Sequence, residues 1–270
     1  MKNSSSLKII HSKAEKQSDS IINTEGFNVW INDAHILEDI NITIPENKIT
    51  CIVGPSGGGK STLVRSFNRI NDDIQGLKIQ GSVRFNDLDV YDQDIDTALL
   101  RSKIGMVFQK PCVFPKSISE NVLFGLQYLK KLSDIDRLEI VEENLKAVSL
   151  WKEVSHRLNN PANSLSIGQQ QRLCIARTLA VKPQVILMDE PTSSLDPVSG
   201  RAVEETILKL KENYTLVFVT HNIRQAERIA DHLVFLCDGK IIEQGPVNKL
   251  FQNAENSRTR EYLKNEFCDC

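Results

Sequence analysis

The sequence predicts an α/β fold with a mainly parallel core sheet, and three observations carry that expectation. Four short runs are continuously apolar or β-branched, at 49–53, 106–108, 185–188 and 216–219. Such runs suit parallel strands covered on both faces. Each is followed at once by chemistry: a glycine-rich loop, Gln109, Asp189-Glu190 and His221. Ligands of open parallel sheets collect beyond the carboxyl ends of the strands, so four such ends mark one site. The third observation is the loop itself, Gly54-Pro55-Ser56-Gly57-Gly58-Gly59-Lys60-Ser61-Thr62. It fits G-x-x-x-x-G-K-[ST] between a strand and a helix.

Taken in order, residues 1–20 are rich in Ser, Lys and Asn and read as a disordered arm. Ile40, Ile42 and Ile44 alternate with polar residues, the pattern of a half-buried strand. The apolar run 49–53 feeds the loop, and residues 62–69 continue it as a helix. Residues 83–85 make a short strand, and the aspartate-rich stretch 87–96 reads as surface loop. Between Pro111 and Pro161 the pattern turns helical. Ser133 and Asp136 have the spacing of a capping box. Ile135, Leu138, Val141, Leu145 and Val148 then recur at three and four, one face of a helix. Residues 168–179 make another helix. Near the end, 233–237 and 240–243 flank Asp238-Gly239, a favoured two-residue hairpin turn. The expected organisation is an arm at 1–20, one domain at 21–250 with a helical insertion at about 111–165, and a C-terminal helix or tail at 251–270.

Composition narrows the function. The chain has 270 residues and a formal net charge of −2. No basic stripe points to nucleic acid. The longest apolar runs fall far short of the ~18 residues of a membrane span, and the N-terminus lacks an apolar signal core, which predicts a cytoplasmic protein. Of the six cysteines, those at 51, 174 and 237 lie in apolar stretches and read as buried. Cys268 and Cys270 read as a frayed tail.

The loop explains its own residue types. Glycines let successive N–H groups curl inward, and the following helix presents its positive end to a polyphosphate. Lys60 suits the β- and γ-phosphates, and the Ser61 hydroxyl suits Mg²⁺. Asp189 can hold the same Mg²⁺ from the opposite side, and Glu190 can deprotonate an attacking water.

The run Leu165-Ser166-Ile167-Gly168-Gln169-Gln170-Gln171-Arg172 resembles the signature of ABC transporter ATPases, usually L-S-G-G-Q. Gln109, Asp196 and His221 resemble that family's Q-loop, D-loop and switch histidine in order and spacing. The resemblance covers about residues 22–267. It implies a P-loop NTPase fold with a small antiparallel β region and a helical insertion, working as a head-to-tail homodimer. ATP would lie between the 54–62 loop of one subunit and Ser166, Gly168 and Gln169 of the other. Glu190 would be the base, His221 would hold the γ-phosphate and the water, Gln109 would touch the metal or water, and Asp196 would fix the interface.

Two positions depart from the family pattern. Ile167 stands where glycine is usual; the expectation is that it turns back into the helical insertion and is buried. The adenine-stacking aromatic is displaced, with Trp30 one step before Ile31-Asn32, so that Trp30 either stacks on adenine or is core.

Within the family the chain is most similar to the ATP-binding subunit of bacterial phosphate importers. Residues 68–72, 88–92, 105–111, 114–118, 120–125 and 259–262 carry that likeness. It implies two integral membrane permease subunits, an extracytoplasmic phosphate-binding protein, and a peripheral place on the cytoplasmic face of the membrane. Importers of phosphonate, molybdate or polar amino acids, and a soluble ABC ATPase, remain the alternatives.

Overall fold

A computed structural model describes residues 20–128 and 133–264. The arm expected before residue 20, and Cys268 and Cys270, lie outside the described residues.

The described residues open with antiparallel strands, β1 (Ser20–Ile31), β2 (Ala34–Ile40) and β3 (Thr43–Pro45). The alternation of Ile40, Ile42 and Ile44 is therefore split between two strands, all three side chains being buried. Next come β4 (Ile49–Val53) and α1 (Lys60–Ser66), then β5 (Leu77–Phe85) and β6 (Leu88–Asp89). The strand expected at 83–85 is thus longer. The stretch 87–96 is more than surface loop: β6 pairs with β5, Val90 is buried, and Tyr91 donates its hydroxyl to Ser66 O at 2.9 Å.

α2 (Thr97–Lys103) leads into β7 (Ile104–Val107). That strand stops at Val107, and the carbonyl of the next residue, Phe108, accepts from Gln171 Nε2 at 3.1 Å and not from a neighbouring strand. The helical stretch holds α3 (Ile118–Leu123), α4 (Asp134–Ala147) and α5 (Trp151–Val154). The Ser133–Asp136 capping box is formed. The face of α4 is shorter than its periodicity suggested. Val141, Leu145 and Val148 are buried, but Ile135 and Leu138 are 73% and 55% exposed. The first turns of α4 run past the surface that packs on α3.

The rest alternates: α6 (Ile167–Ala180), β8 (Val185–Asp189), α7 (Pro197–Leu210), β9 (Thr215–Val219), α8 (Ile223–Ile229), then β10 (His232–Cys237), β11 (Lys240–Pro246), α9 (Val247–Asn253) and α10 (Ser257–Leu263). The β10–β11 turn has Asp238 at φ +50° and Gly239 at φ +73°, the two positive values a type I′ turn requires.

Two sheets result. The first has the order β2-β1-β5-β6, with β3 also on β1; the second has the order β11-β10-β4-β9-β8-β7. In the second, β10, β4, β9, β8 and β7 run parallel and β11 closes the edge antiparallel. β4, β8 and β9 are buried at every position, as continuous apolar runs require. The two sheets share one core through Ile52, Leu63, Phe67, Leu187, Val217 and Leu236. The parallel directions put the ends of β4, β9, β8 and β7 side by side, and the site lies there.

Candidate functional site

The loop after β4 is shaped by its glycines. Gly54 has φ +153° and Gly59 φ +94°. A Cβ on Gly54 would lie 1.9 Å from Leu236 O, and one on Gly59 2.7 Å from Leu37 Cδ2. Any side chain at either point would push the loop off the sheets on which it rests. Lys60 opens α1 and is 6% exposed. Its Nζ donates to Gly54 O at 2.8 Å and Pro55 O at 2.7 Å. Burial pulls its ammonium below the usual lysine value, while the charges of Glu190 and Asp189 act the other way.

Ser61, one residue on, donates its hydroxyl to Asp189 Oδ1 at 2.8 Å. Arg65 Nη2 donates to the other oxygen, Oδ2, at 2.9 Å. Asp189 ends β8 and is 2% exposed, so this pair neutralises a carboxylate that burial would otherwise penalise. Sequence reasoning missed Arg65. The available signal was its spacing from Ser61, since residues four apart share a helix face.

Glu190 follows at φ +46°, left-handed backbone that a non-glycine residue rarely adopts. Its N–H donates to Val219 O at 3.1 Å. Its Oε2 accepts from Gln109 Nε2 at 3.3 Å and from His221 Nδ1 at 3.1 Å. An ionised carboxylate only accepts, so this contact assigns the imidazole proton to Nδ1. Gln109 Nε2 also reaches Ser193 Oγ at 3.1 Å. Lys60, Ser61, Gln109, Asp189, Glu190 and His221 therefore stand together at four adjacent strand ends. Behind His221 is a buried relay that sequence reasoning did not find. Gln225 accepts from Thr220 Oγ1 at 2.8 Å and donates to Thr192 Oγ1 at 3.0 Å and Glu204 Oε1 at 2.7 Å.

The signature stands apart from this cluster. Ser166 caps α6, and its box with Gln169 is formed in both directions. Gln169 Nε2 and Arg172 Nη1 each donate to Glu153 at 2.7 Å, which ties α6 to α5. Gly168 is buried against α7, where a Cβ would meet Ser199 Cβ and Oγ at 2.7 Å. Asp196 caps α7, accepting from the N–H groups of Val198 and Ser199. The Ser199 hydroxyl and those N–H groups hold its carboxyl below the usual range.

Ile167 corrects the expectation that it is buried in the helical insertion: it is 55% exposed. As the first residue after the cap, it has no preceding helical turn beneath it and points outward. Val198, at the start of α7, is likewise exposed.

Trp30 lies half-buried on β1 and stacks on His35 of β2, ring centroids 4.3 Å apart and planes 14° apart. The next two residues of β2, Ile36 and Leu37, abut Gly59, so the stacked pair sits beside the phosphate loop. Among the described residues, no helix is long and apolar enough to cross a membrane.

Residues 37–193 match a family model described as ABC transporter. The chain is 48% identical over 261 residues to the phosphate import ATP-binding protein PstB of Borreliella afzelii, across 96% of this chain and 100% of that protein. It is 48% identical over 245 residues to the protein of the same name from Thermotoga maritima, across 90% and 97%. Among solved structures, cbiO1 of Clostridium perfringens, part of an ABC transporter complex, superposes with a TM-score of 0.76 at 30% identity, across 92% of this chain and 96% of that one. An ATP-binding cassette solved as a dimer with ADP and Pi superposes with a TM-score of 0.72 at 30% identity, across 84% and 98%.

Proposed function

The chain belongs to the ABC transporter family, as an ATP-binding and ATP-hydrolysing member, and from that premise we propose that it is the ATPase subunit of a phosphate importer. The observation that carries the catalytic part is the single oxygen, Glu190 Oε2, on which Gln109 and His221 converge. The likeness to the phosphate import proteins supports the substrate.

In this reading the 54–62 loop receives the phosphates of ATP. Lys60 leaves the Gly54 and Pro55 carbonyls for the β- and γ-phosphates, exchanging two neutral acceptors for a charged one. The hydroxyl of Ser61, the carboxylate of Asp189 and the amide oxygen of Gln109 are the hard oxygen donors that suit Mg²⁺. These three groups would hold the metal, whose charge would offset that of the phosphates. Glu190 takes the proton of the attacking water. His221, with its proton on Nδ1 against Glu190, orients that base and contacts the γ-phosphate. Trp30 contributes an aromatic face for adenine, backed by His35.

A single loop leaves the far side of the γ-phosphate open, so a second copy completes the site. Its Ser166 hydroxyl accepts from Gln169 N–H and keeps its own proton to donate, and the Gly168 N–H lies in the positive first turn of α6. Gln169 holds that cap in shape, and Asp196, at the start of the adjacent α7, faces the same interface. Two permease subunits take up the resulting motion, fed by an extracytoplasmic phosphate-binding protein, with the ATPase peripheral on the cytoplasmic face.

Two experiments test this. Glu190→Gln lowers ATP turnover by about 10²–10⁴-fold while ATP binding persists, and sedimentation with Mg-ATP shows an accumulated dimer; near-normal turnover removes Glu190 as the base. Cells lacking the chain lose high-affinity uptake of labelled phosphate and keep molybdate uptake. Loss of phosphonate, molybdate or amino-acid uptake instead reassigns the substrate and leaves the ATPase intact.

A further inference from the structure

We propose that Cys112 and Cys174 form a thiol-modification site, a dithiol that a low-molecular-weight disulfide oxidises to an internal bridge. The bridge would staple the loop that follows Gln109 to the signature helix α6.

Both cysteines are free, Cys112 exposed and Cys174 buried. They are distant in sequence and meet only through the fold. The Cys112 N–H favours the Cys174 thiolate and the Cys112 thiol opposes it, which makes the two residues neighbours. Clamps on both sides keep the segments in register. On one side Gln171 donates to Phe108 O at 3.1 Å. On the other, the Arg177 guanidinium lies over the Phe114 ring at 4.5 Å. Arg177 also donates to Asn121 Oδ1 at 3.5 Å, the oxygen that accepts from Phe114 N at 2.9 Å. Cys112 lies between the loop-side anchors, Phe108 and Phe114. Cys174 lies between their partners on α6, Gln171 and Arg177.

The two thiols are suited to different steps. Exposed Cys112 meets the oxidant first. Cys174 is shielded and reacts second: burial raises its thiol, while the Arg177 charge and the Cys112 N–H favour the thiolate. Arg177 Nη2 stands 3.6 Å from its sulfur. In the first step the Cys112 thiolate attacks one sulfur of RSSR, forming a mixed disulfide and expelling RS⁻. In the second the Cys174 thiolate attacks the Cys112 sulfur, forming the internal S–S bond and expelling the second RS⁻. Two protein thiols are oxidised, one disulfide is reduced to two thiols, and the two protons end on those thiols. Excess thiol reverses both steps.

The consequence for turnover rests on the function proposed above, in which Gln109 attends the metal of its own chain's ATP and Ser166 the γ-phosphate of the ATP held by the second copy, and both must adjust as ATP is cleaved. The staple would fix the Gln109 loop against the helix that Ser166 caps. The inference is thus a reversible redox brake on the ATPase.

The test uses the full folded chain, reduced, desalted and exposed to oxidised glutathione. Tryptic mapping without reduction is expected to show fragment 104–116 linked to fragment 173–177, with Cys51 still reduced. ATP turnover is expected to fall by roughly tenfold to a hundredfold and to return with dithiothreitol. Cys112→Ser and Cys174→Ser each keep their turnover under the same treatment. A mixed disulfide on Cys112 that never proceeds to the linked fragment, or a linked fragment seen only after urea, overturns the site. Full turnover in the linked chain overturns the brake. If the reduced chain has no ATPase activity, the functional reading fails, and the peptide map still decides the dithiol.

Discussion

Replacing Gly168 by alanine tests whether the two helix starts at the signature are held in contact. The added Cβ would lie 2.7 Å from both Cβ and Oγ of Ser199, closer than any real carbon contact. Ser199 is poorly placed to retreat, because its N–H donates to Asp196 Oδ1 at 3.1 Å and closes the cap of α7. Overpacking of this kind costs about 1–3 kcal/mol, and the gain in helix propensity from glycine to alanine offsets about 1 kcal/mol of it. The single variant alone is therefore a blunt test. Ser199→Gly removes both clashing atoms, so the double variant should escape the clash. The cycle of four proteins is expected to show a coupling of about 1–3 kcal/mol, read as Tm differences of about 2–4 °C per kcal/mol for a chain this long. Turnover should follow: it falls in Gly168→Ala and recovers in the double variant. Additivity within about 0.3–0.5 kcal/mol would mean that α6 and α7 are not in contact at this point, and the reasoning fails.

In a chain whose Trp151 is replaced, Trp30 fluorescence is expected to change on ATP binding, and Trp30→Ala is expected to weaken that binding by roughly tenfold to a hundredfold, the worth of one aromatic stack on a base; unchanged affinity in a folded variant assigns Trp30 to the Trp30–His35 contact alone. Ile167→Ser is expected to leave stability within about 0.5 kcal/mol, because the side chain is exposed; a larger fall in Tm would show that it is packed. Glu153→Gln is expected to cost about 0.2–1 kcal/mol at neutral pH, the range for a partly exposed pair. Burial alone would raise the Glu153 carboxyl, but hydrogen bonds from Arg172 and Gln169 and the Arg172 charge together hold it below its ordinary value. A carboxyl lowered in the folded state contributes fully above its unfolded value, and the contribution is lost as pH falls through the folded one. The Tm gap between variant and wild type should therefore close in acid; a gap that is constant with pH refutes an ionic contribution.

The site was legible wherever one segment carries its own chemistry. Residues 54–62, 189–190 and 221 each follow an apolar strand, and strand direction alone gathers them. The cap at Ser133 was legible because a capping box is local. What stayed hidden depends on contacts between segments far apart in sequence. Gln225 reaches Thr192 and Glu204 across two elements, and the segments that carry Cys112 and Cys174 are brought side by side by Gln171 and Arg177. Ile167 was misread for a different reason: an apolar letter was assigned to a core that does not extend to the first position of a helix. Ile135 and Leu138 were misread likewise, since periodicity gives a face and not the length of its partner.

The left-handed backbone at Glu190 bears on how this chain can change. A non-glycine residue there carries a conformational penalty of order 1–3 kcal/mol, held by the bond to Val219 O and by the turn that Ser193 closes onto Glu190 O at 3.2 Å. Glycine would relax that backbone, and no other residue would do so as fully. Position 190 is thus one where selection for a sturdier fold and selection for turnover pull in opposite directions. With Glu190 as the base proposed above, a laboratory search scored on heat resistance alone drifts away from glutamate here, and one scored on turnover holds it.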